Sequence, residues 1–291
     1  MQANYHGMDI SEEANDAILV TGASTGIGHE TALLLAERGY TVFAGVRKEG
    51  DREALEAEHP NIRPIILDVT VPADVSRAID TIRESGATLR GLVNNAGIAV
   101  AGPLEFLPLE DLRHQFEVNV IGPIAMAQAA LPLLRETQGR IVVIGSIAGR
   151  LSAPFVGPYS ASKSAIAALT DAMRMELASS GIRVSLLEFA AVKTPIWAKG
   201  RRGKDELVAK MPPQAMTYYG KIVNAVVAQT KHEEKVGMEP RVIAETVLHA
   251  LTNAKPRERY VIGKQAKMQR IVAALPAGTR DRLIRKAMQL D

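Results

Sequence analysis

The chain has 291 residues, of which 47% are hydrophobic and 23% charged, with 23 Gly, 15 Pro and no Cys. This composition excludes disordered, collagen-like and low-complexity proteins, and the length suffices to bury a sizeable core. The absence of Cys excludes a disulfide scaffold, thiolate metal ligands and a Cys nucleophile. No apolar run reaches the ~20 residues that a membrane-spanning helix needs, and residues 1–16 lack the apolar core of a signal peptide, so we expect a cytoplasmic protein.

The net charge of +3 is unevenly distributed. Residues 255–291 contain ten Lys or Arg and three Asp or Glu, a net charge of +7, so the other 254 residues carry −4. That body has no basic stripe, which argues against nucleic-acid binding. The six His are scattered without ligand spacing, so we expect no metal site.

Short apolar runs alternate with longer amphipathic ones along the chain. The strand-like runs are residues 17–20, 41–46, 62–67, 89–94, 140–145, 182–187 and 259–262. The helical patterns between them include residues 27–38, 72–84, 109–134 and 159–179. Such alternation predicts an α/β fold: a Rossmann-type, doubly wound, mostly parallel sheet flanked by helices.

The organisation is that of a single domain with extensions. We expect an N-terminal extension (1–16), a catalytic domain (17–263) and a basic helical C-terminal extension (264–291). Residues 195–240 are rich in polar residues and Met, and look inserted between the sixth and seventh strands. Long excursions of this kind are often binding loops, so we predict a substrate loop or lid there.

A glycine turn with GxxxGxG spacing, in residues 21–28, separates the first strand from the first helix. Glycines permit a tight turn, and the helix N-terminus offers unpaired N–H groups to a pyrophosphate. A tight turn that binds nothing is the alternative, but the strand before and the helix after favour dinucleotide binding. The expected contacts are Gly22, Ser24, Thr25, Gly26, Ile27 and Gly28.

The end of the second strand indicates which dinucleotide is preferred. Val46 occupies the position where a carboxylate would accept from both ribose hydroxyls, and Arg47 and Lys48 follow. Because Arg pairs a phosphate in a planar fork, this favours NADP(H), with NAD(H) as the alternative. A solvated basic pair at a strand end is the simpler interpretation.

Two further strand ends carry candidate cofactor contacts. Asp68, followed by Val69, can accept from an adenine amino group or cap the helix that begins near residue 72, and both interpretations stay open. Asn95, Ala96 and Gly97 fit a backbone that passes close to a cofactor, and the alternative is an ordinary Asn/Gly turn.

Four polar residues form a candidate catalytic set. Tyr159 and Lys163 lie at i and i+4 on one helical face, so the ammonium is expected to favour the phenolate and lower the Tyr pKa. Ser146 ends the fifth strand, where its hydroxyl can donate to a developing alkoxide or a carbonyl oxygen. Asn119 lies mid-helix, and its amide is expected to hold a water behind Lys163. Each residue type is commonplace alone, but the set follows a dinucleotide turn in order.

With these motifs the chain resembles the short-chain dehydrogenase/reductase superfamily, including its hydroxysteroid and retinol dehydrogenase branch. The resemblance rests on TGxxxGIG (residues 21–28), NNAG (residues 94–97) and the tetrad Asn119, Ser146, Tyr159 and Lys163. It implies hydride transfer between a nicotinamide cofactor and a carbinol carbon, with Tyr159 as general acid/base. Lys163 would also hold the nicotinamide ribose, Ser146 would orient the substrate oxygen, and Asn119 would complete a water-mediated proton relay.

The resemblance also implies contacts to the nicotinamide from Val192 and Thr194, and a homodimer or homotetramer. One departure is that Phe189 and Ala190 replace a Pro-Gly pair after the sixth strand. We hypothesise that this reshapes the loop and changes the space for the substrate.

The expected substrate pocket is mainly apolar, which favours a bulky hydrophobic alcohol or ketone, steroid- or retinoid-like. Its predicted lining is Leu151, Phe155, Val156, Phe189, Ala190 and Trp197. Packing of the lid and of subunit contacts is the alternative use of these side chains.

Alternatives remain open for the function of the protein and for the use of its C-terminal tail. A cofactor-binding regulatory or scaffold protein with little turnover is the second functional hypothesis. In the tail, apolar residues at 268, 271, 272 and 275 suggest a basic amphipathic helix, with another from 279 to 290. This segment is expected either to lie on a membrane surface or, as we prefer, to pack over the substrate cleft with solvated Lys and Arg.

Overall fold

The sheet is parallel throughout. A computed structural model describes residues 15–194, 212 and 214–290, and within that part seven strands pair in the order β3-β2-β1-β4-β5-β6-β7. The strands are β1 (Asp16–Val20), β2 (Thr41–Val46), β3 (Ile62–Ile66), β4 (Thr88–Asn94), β5 (Arg140–Ile144), β6 (Arg183–Phe189) and β7 (Arg259–Ile262). Because the order reverses at β1, a crevice opens beyond the carboxyl ends of β1 and β4, where doubly wound folds bind ligands.

Helices cover both faces of this sheet. They are α1 (Gly26–Glu37), α2 (Glu49–Glu56), α3 (Pro72–Glu84), α4 (Leu109–Phe116), α5 (Gly122–Glu136), α6 (Gly157–Glu176), α7 (Gln214–Val236), α8 (Pro240–Thr252), α9 (Lys264–Ala273) and α10 (Ala277–Ala287). Successive strand residues point to opposite faces, so Leu19 joins a core cluster with α3, α5 and α6, while Ile18 joins one with α1, α2 and α8. The α/β, doubly wound architecture expected from the sequence is confirmed.

The helix predicted over residues 109–134 is not continuous. A π turn, Glu117–Ile121, separates α4 from α5. Pro123 has no N–H, so the carbonyl of Asn119 cannot accept the ordinary bond from four residues further on. The stretch Leu109–Glu136 is long and apolar enough to span a membrane, but half of its most apolar window is buried inside the protein, as in a core helix.

The insertion between β6 and β7 contains a helix, which the prediction of a loop or lid over 195–240 did not foresee. Residues 195–211 and 213, which include the predicted pocket residue Trp197, lie outside the described residues, and α7 follows them. The chain returns beside its point of departure, because Met238 N–H donates to Ala191 O at 3.0 Å and Lys193 N–H donates to Met238 O at 2.9 Å. The insertion therefore begins and ends beside the carboxyl end of β6.

The basic tail forms the helices α9 and α10, close to the ranges predicted from the sequence. Ala266 is the one buried residue in these two helices, so their Lys and Arg side chains remain solvated. Arg280 and Asp281 line a cavity of about 270 Å³ together with the turn after β5 and with Ser160 of α6. The tail thus packs beside the N-terminal half of α6.

Candidate active site

The glycine turn forms a cradle that a larger residue would fill. Gly22 and Gly26 have φ of +66° and +64°, a backbone conformation that L side chains rarely adopt. A Cβ on Gly22 would lie 2.8 Å from Cα of Ala96, and one on Gly28 would lie 2.4 Å from Nδ2 of Asn95. Because Thr25 is the N-cap of α1 and no side chain caps that end, the N–H groups of the first turn face the crevice unshielded.

The turn is fastened to the segment after β4 by hydrogen bonds. Thr21 Oγ1 accepts from the backbone N–H of Asn95 and of Ala96, both at 3.0 Å. Asn95 Nδ2 donates at 2.9 Å to the carbonyls of Thr21 and Gly22. Asn95 therefore shapes the cradle with its side chain, while Gly97 lies exposed beside it. The cradle fits a dinucleotide pyrophosphate, as the sequence motif predicts.

Positive charge lies at the carboxyl end of β2, the edge at which dinucleotide-binding folds meet the adenosine ribose. Arg47 and Lys48 are exposed at the carboxyl end of β2, and Ser24 and Thr25 belong to the adjacent turn. The charge of Arg47 also acts on the carboxyl group of Asp68. Burial alone would raise the pKa of Asp68, but two hydrogen bonds from Thr70 and the charge of Arg47 lower it below its ordinary value.

Asp68 makes a local turn. Its Oδ1 accepts from the backbone N–H of Thr70 at 2.9 Å and from the Thr70 hydroxyl at 2.7 Å. The N-cap of α3 is Val71, so the alternative prediction that Asp68 caps this helix is wrong. Val69 is buried next to it, where its side chain packs against Gly122 at the start of α5.

The three catalytic candidates Ser146, Tyr159 and Lys163 converge at the carboxyl end of β5. Lys163 Nζ is buried, donates to Ile144 O at 2.7 Å and lies 5.8 Å from the centroid of the Tyr159 ring. Ser146 caps the short 3₁₀ turn Ile147–Gly149, accepts from Ala148 N–H at 3.1 Å and is hydrogen-bonded to the Tyr159 phenol. The structure therefore brings together three of the four residues of the candidate catalytic set.

The electrostatics of the pair differ from the expectation. Burial raises the pKa of the Tyr159 phenol, and only the hydrogen bond to Ser146 acts in the opposite direction. Burial also lowers the pKa of Lys163 to about 8. The raised pKa of Tyr159 is opposite to the direction that the i, i+4 spacing suggested, because both groups are desolvated by burial.

Asn119 is brought close to the site, and three hydrogen bonds hold its side-chain amide. Its Oδ1 accepts from Ile98 N–H at 2.9 Å, and its Nδ2 donates to Ile98 O at 2.9 Å and to Ser162 Oγ at 3.1 Å. These bonds fix the orientation of the amide that was expected to complete the relay. The side chain instead ties the segment after β4 to α6.

Gln115 is a residue that the sequence reasoning missed. It is fully buried, its Nε2 donates to Ile98 O at 2.8 Å and its Oε1 accepts from Val100 N–H at 2.6 Å. Gln115 and Asn119 therefore clamp the same segment from one helical face. Their i, i+4 spacing was the available sequence signal.

The loop after β6 places its residues differently from the pocket prediction. Phe189 is still within β6, and its ring is only 7% exposed, in the core cluster shared with α1 and α8. The ring fills core volume, so it does not form the wall beside a substrate that was expected. Val192 is buried in the same cluster, whereas Ala190 and Thr194 are half-buried.

An aromatic cluster joins α7 to the segments on either side of the site. The Tyr219 ring lies 6.0 Å from Phe106 and 5.9 Å from Phe155, and its hydroxyl donates to Glu105 Oε2 at 2.7 Å. Of the predicted pocket residues, Phe155 belongs to this cluster. Leu151 and Val156, from the same segment of chain, are half-buried. Leu104 is 68% exposed and faces Gly157 at the start of α6.

Comparisons with known proteins agree with this geometry. The family model for short chain dehydrogenases matches residues 16–205. An NADPH-dependent 3-dehydrocapnine reductase from Ornithobacterium rhinotracheale is 35% identical, over 86% of this chain and 89% of that protein. Human 11-beta-hydroxysteroid dehydrogenase type 2 is 34% identical, over 93% of this chain and 70% of that protein. The crystal structure of a short chain dehydrogenase from Burkholderia cenocepacia in complex with NADP is 28% identical, with a TM-score of 0.70 over 92% of this chain and 97% of that one.

The chain belongs to the short chain dehydrogenase family, and it is an NAD(P)-dependent oxidoreductase of alcohols and carbonyl compounds. The glycine cradle is the observation in the chain itself that fits this cofactor class, since Cβ atoms at Gly22 and Gly28 would fill it.

Proposed function

We propose that this protein uses NADP(H) to interconvert a bulky hydrophobic ketone and its secondary alcohol, with Tyr159 as the proton donor in reduction. The observation that carries the proposal is the convergence of Ser146, Tyr159 and Lys163 at the carboxyl end of β5, beside an apolar aromatic cluster. The NADPH-dependent relative and the exposed Arg47 and Lys48 support the phosphorylated cofactor, with NAD(H) as the alternative.

The cofactor, when bound in the glycine cradle, supplies the hydride. The residues expected to hold it are those of the turn and strand ends, with Asn95, Ala96 and Gly97 behind them and Val192 and Thr194 at the nicotinamide end. The chain's own catalytic task is then to bind the carbonyl oxygen and deliver a proton to it.

Proton delivery follows from the hydrogen bonds around Tyr159. Ser146 Oγ accepts from Ala148 N–H, so its one hydrogen remains for the phenol oxygen or for the substrate oxygen. The raised pKa keeps the phenol protonated at neutral pH, so it can donate to the carbonyl oxygen as negative charge develops there. Lys163, anchored on Ile144 O, fixes the ammonium next to the ring that loses the proton.

The size and polarity of the substrate are inferred from the segments that meet Tyr219. Phe106, Phe155 and Tyr219 form an aromatic wall, and Leu104 extends it towards the N-terminus of α6, which carries Tyr159. Aromatic walls of this kind bury a large apolar ligand while leaving few polar groups to satisfy.

A substrate series tests this proposal most directly. We expect Tyr219→Ala to raise KM at least tenfold for a fused-ring ketone, and less than twofold for acetone, with NADPH as cofactor. Tyr218→Ala is the matched control, because Tyr218 is the adjacent residue of α7 and is 70% exposed. An equal KM change for both ketones would contradict a hydrophobic wall.

The second functional hypothesis, a cofactor-binding protein with little turnover, makes a different prediction. It requires binding of NADPH without reduction of any member of a broad ketone and aldehyde panel. The convergent Ser146, Tyr159 and Lys163 favour catalysis, since a binding protein does not need a phenol and an ammonium buried together.

The assembly and the location of the protein are also proposals. We infer a homodimer or homotetramer through α5 and α6, because Leu169 and Met175 of α6 are 40% and 68% exposed. Leu169→Arg should then dissociate the assembly in light-scattering measurements, and an unchanged mass would contradict it.

We infer a cytoplasmic protein whose tail packs beside α6, with contact to a membrane surface as the less favoured alternative. Deleting residues 264–291 separates these two uses of the tail through liposome binding and substrate KM.

A further inference from the structure

Glu188 is a buried carboxylate that the proposed reaction does not use. It lies in β6, and its side chain is 1% exposed. Arg150 grips it with a planar fork: Nε donates to Oε1 at 2.7 Å and Nη2 donates to Oε2 at 2.8 Å. A buried ion pair with this geometry is costly to desolvate and often adds little to stability, so its presence calls for a structural role.

Arg150 ends the turn that carries Ser146. Ser146 is the N-cap of the 3₁₀ turn Ile147–Gly149, and Arg150 is its C-cap. The fork to Glu188 therefore fixes the far end of this turn to β6. The three residues Ile147–Gly149 separate Arg150 from Ser146, whose hydroxyl meets Tyr159.

The other side of the same turn is fastened to α6. Ser164 Oγ donates to Gly149 O at 2.5 Å, and a Cβ on Gly149 would lie 2.9 Å from the Lys163 carbonyl group. The turn is thus held between β6, through Glu188, and the helix that carries Tyr159 and Lys163. Loss of either attachment would let Ser146 move relative to the phenol.

A second arginine closes the network. Arg259 of β7 donates from Nη1 to Glu188 Oε1 at 3.2 Å, and its Nη2 donates to Asp171 of α6. Arg174 also donates to Asp171, at 2.5 Å. Asp171 belongs to the same network as Glu188 and acts on Arg150 through its charge, but no hydrogen bond joins the two in the described part of the chain, which makes Asp171 a suitable control.

We propose that Glu188 and Arg150 are positioning residues, which hold the Ser146 turn so that its hydroxyl meets the Tyr159 phenol and the substrate oxygen. This inference rests on the proposed function. Because the fork acts on the turn that carries Ser146 and not on the glycine cradle, its loss should affect turnover and spare cofactor binding.

The test is Glu188→Gln in the full chain, assayed with NADPH and the fused-ring ketone. We expect kcat to fall at least tenfold, with KM for the ketone and the Kd for NADPH within twofold of the parent values. Asp171→Asn should leave kcat within twofold, although it also breaks an ion pair of this network. If kcat decreases in proportion to Tm in both variants, Glu188 has a structural role only, and the proposal is overturned.

A double-variant cycle shows whether the effect passes through Ser146. In a Ser146→Ala background, measured by single-turnover rates, Glu188→Gln should slow the reaction by less than twofold. A further tenfold loss there would contradict the proposal. If Glu188→Gln does not fold, Arg150→Lys keeps the charge but removes the fork, and it should lower kcat at unchanged KM. Absence of turnover in the parent protein would refute the proposed function, whereas full turnover in both Glu188→Gln and Arg150→Lys would refute this inference alone.

Discussion

Lys163 Nζ lies 5.8 Å from the centroid of the Tyr159 ring and donates to Ile144 O at 2.7 Å, so the Lys163 ammonium is held by the end of a strand as well as by its helix. Both groups are desolvated because they are buried. The ammonium has a backbone carbonyl as its partner in place of water, and burial lowers its pKa to about 8. The free-energy cost of burying this cation beside the phenol therefore depends on pH.

The first prediction concerns that cost. The pKa of Lys163 falls from 10.5 to about 8 on folding, so between these values the unfolded chain binds a proton that the folded chain does not. The free energy of unfolding should therefore rise as pH increases through this window, by about 2–3 kcal/mol relative to Lys163→Met. Urea denaturation of both proteins at pH 7.5 and pH 10 measures the difference, and parallel changes in the two proteins would contradict it.

The second prediction concerns the glycine cradle. Gly22→Ala should raise the Kd for NADPH at least tenfold, because its Cβ would lie 2.8 Å from Cα of Ala96. Gly39→Ala is the control: Gly39 also has a positive φ, +88°, but a Cβ there meets nothing within 4 Å. It should lose about 1 kcal/mol of stability from backbone strain and bind NADPH normally. Equal weakening of NADPH binding by both changes would assign the effect to strain and not to the cradle.

The third prediction concerns a strained aromatic residue. Phe155 has φ of +69°, which is rare for a bulky side chain, and Gly102 N–H donates to its carbonyl at 2.9 Å. Phe155→Ala keeps the strain and loses the ring, whereas Phe155→Gly loses both. The Gly variant should be more stable than the Ala variant by about 1 kcal/mol in urea denaturation. The two should share a raised KM for the fused-ring ketone, and a lower stability of the Gly variant would contradict the assignment of strain.

The fourth prediction concerns cofactor choice. Arg47→Ala should weaken binding of NADPH at least tenfold while changing the Kd for NADH less than twofold, because only NADPH carries the 2′-phosphate. Arg63→Ala is a control on the adjacent strand β3, where the guanidinium lies 5.9 Å from the Phe43 ring centroid. Fluorescence titration of the parent protein and both variants with each cofactor gives the six Kd values. Equal weakening of NADPH and NADH by Arg47→Ala would remove the basis for the NADP(H) preference.

Much of the fold was predictable because its signals are local. The strands Thr41–Val46 and Arg259–Ile262 and the helix Pro72–Glu84 have the bounds expected from their apolar patterns. The glycine turn and the i, i+4 pair Tyr159 and Lys163 were equally visible, since sequence spacing alone puts their members side by side.

The features that were missed depend on tertiary contacts. The π turn at Glu117–Ile121 and the use of the Asn119 amide arise where a helix meets the segment after β4, and no spacing rule encodes that meeting. Glu188 is a single acidic residue in an apolar strand, and its partners Arg150 and Arg259 are 38 and 71 residues away in sequence. The pKa directions of Tyr159 and Lys163 depend on burial, which one helical face does not reveal.

The central claim is that Tyr159 donates the proton in a reaction driven by the bound cofactor. Single-turnover reduction of the fused-ring ketone by NADPH, compared between the parent protein and Tyr159→Phe, tests it most directly. We predict a rate at least 100-fold lower in Tyr159→Phe, on the order of a general-acid contribution, with the Kd for NADPH within twofold. A rate within threefold of the parent rate, at unchanged NADPH binding, would contradict the account.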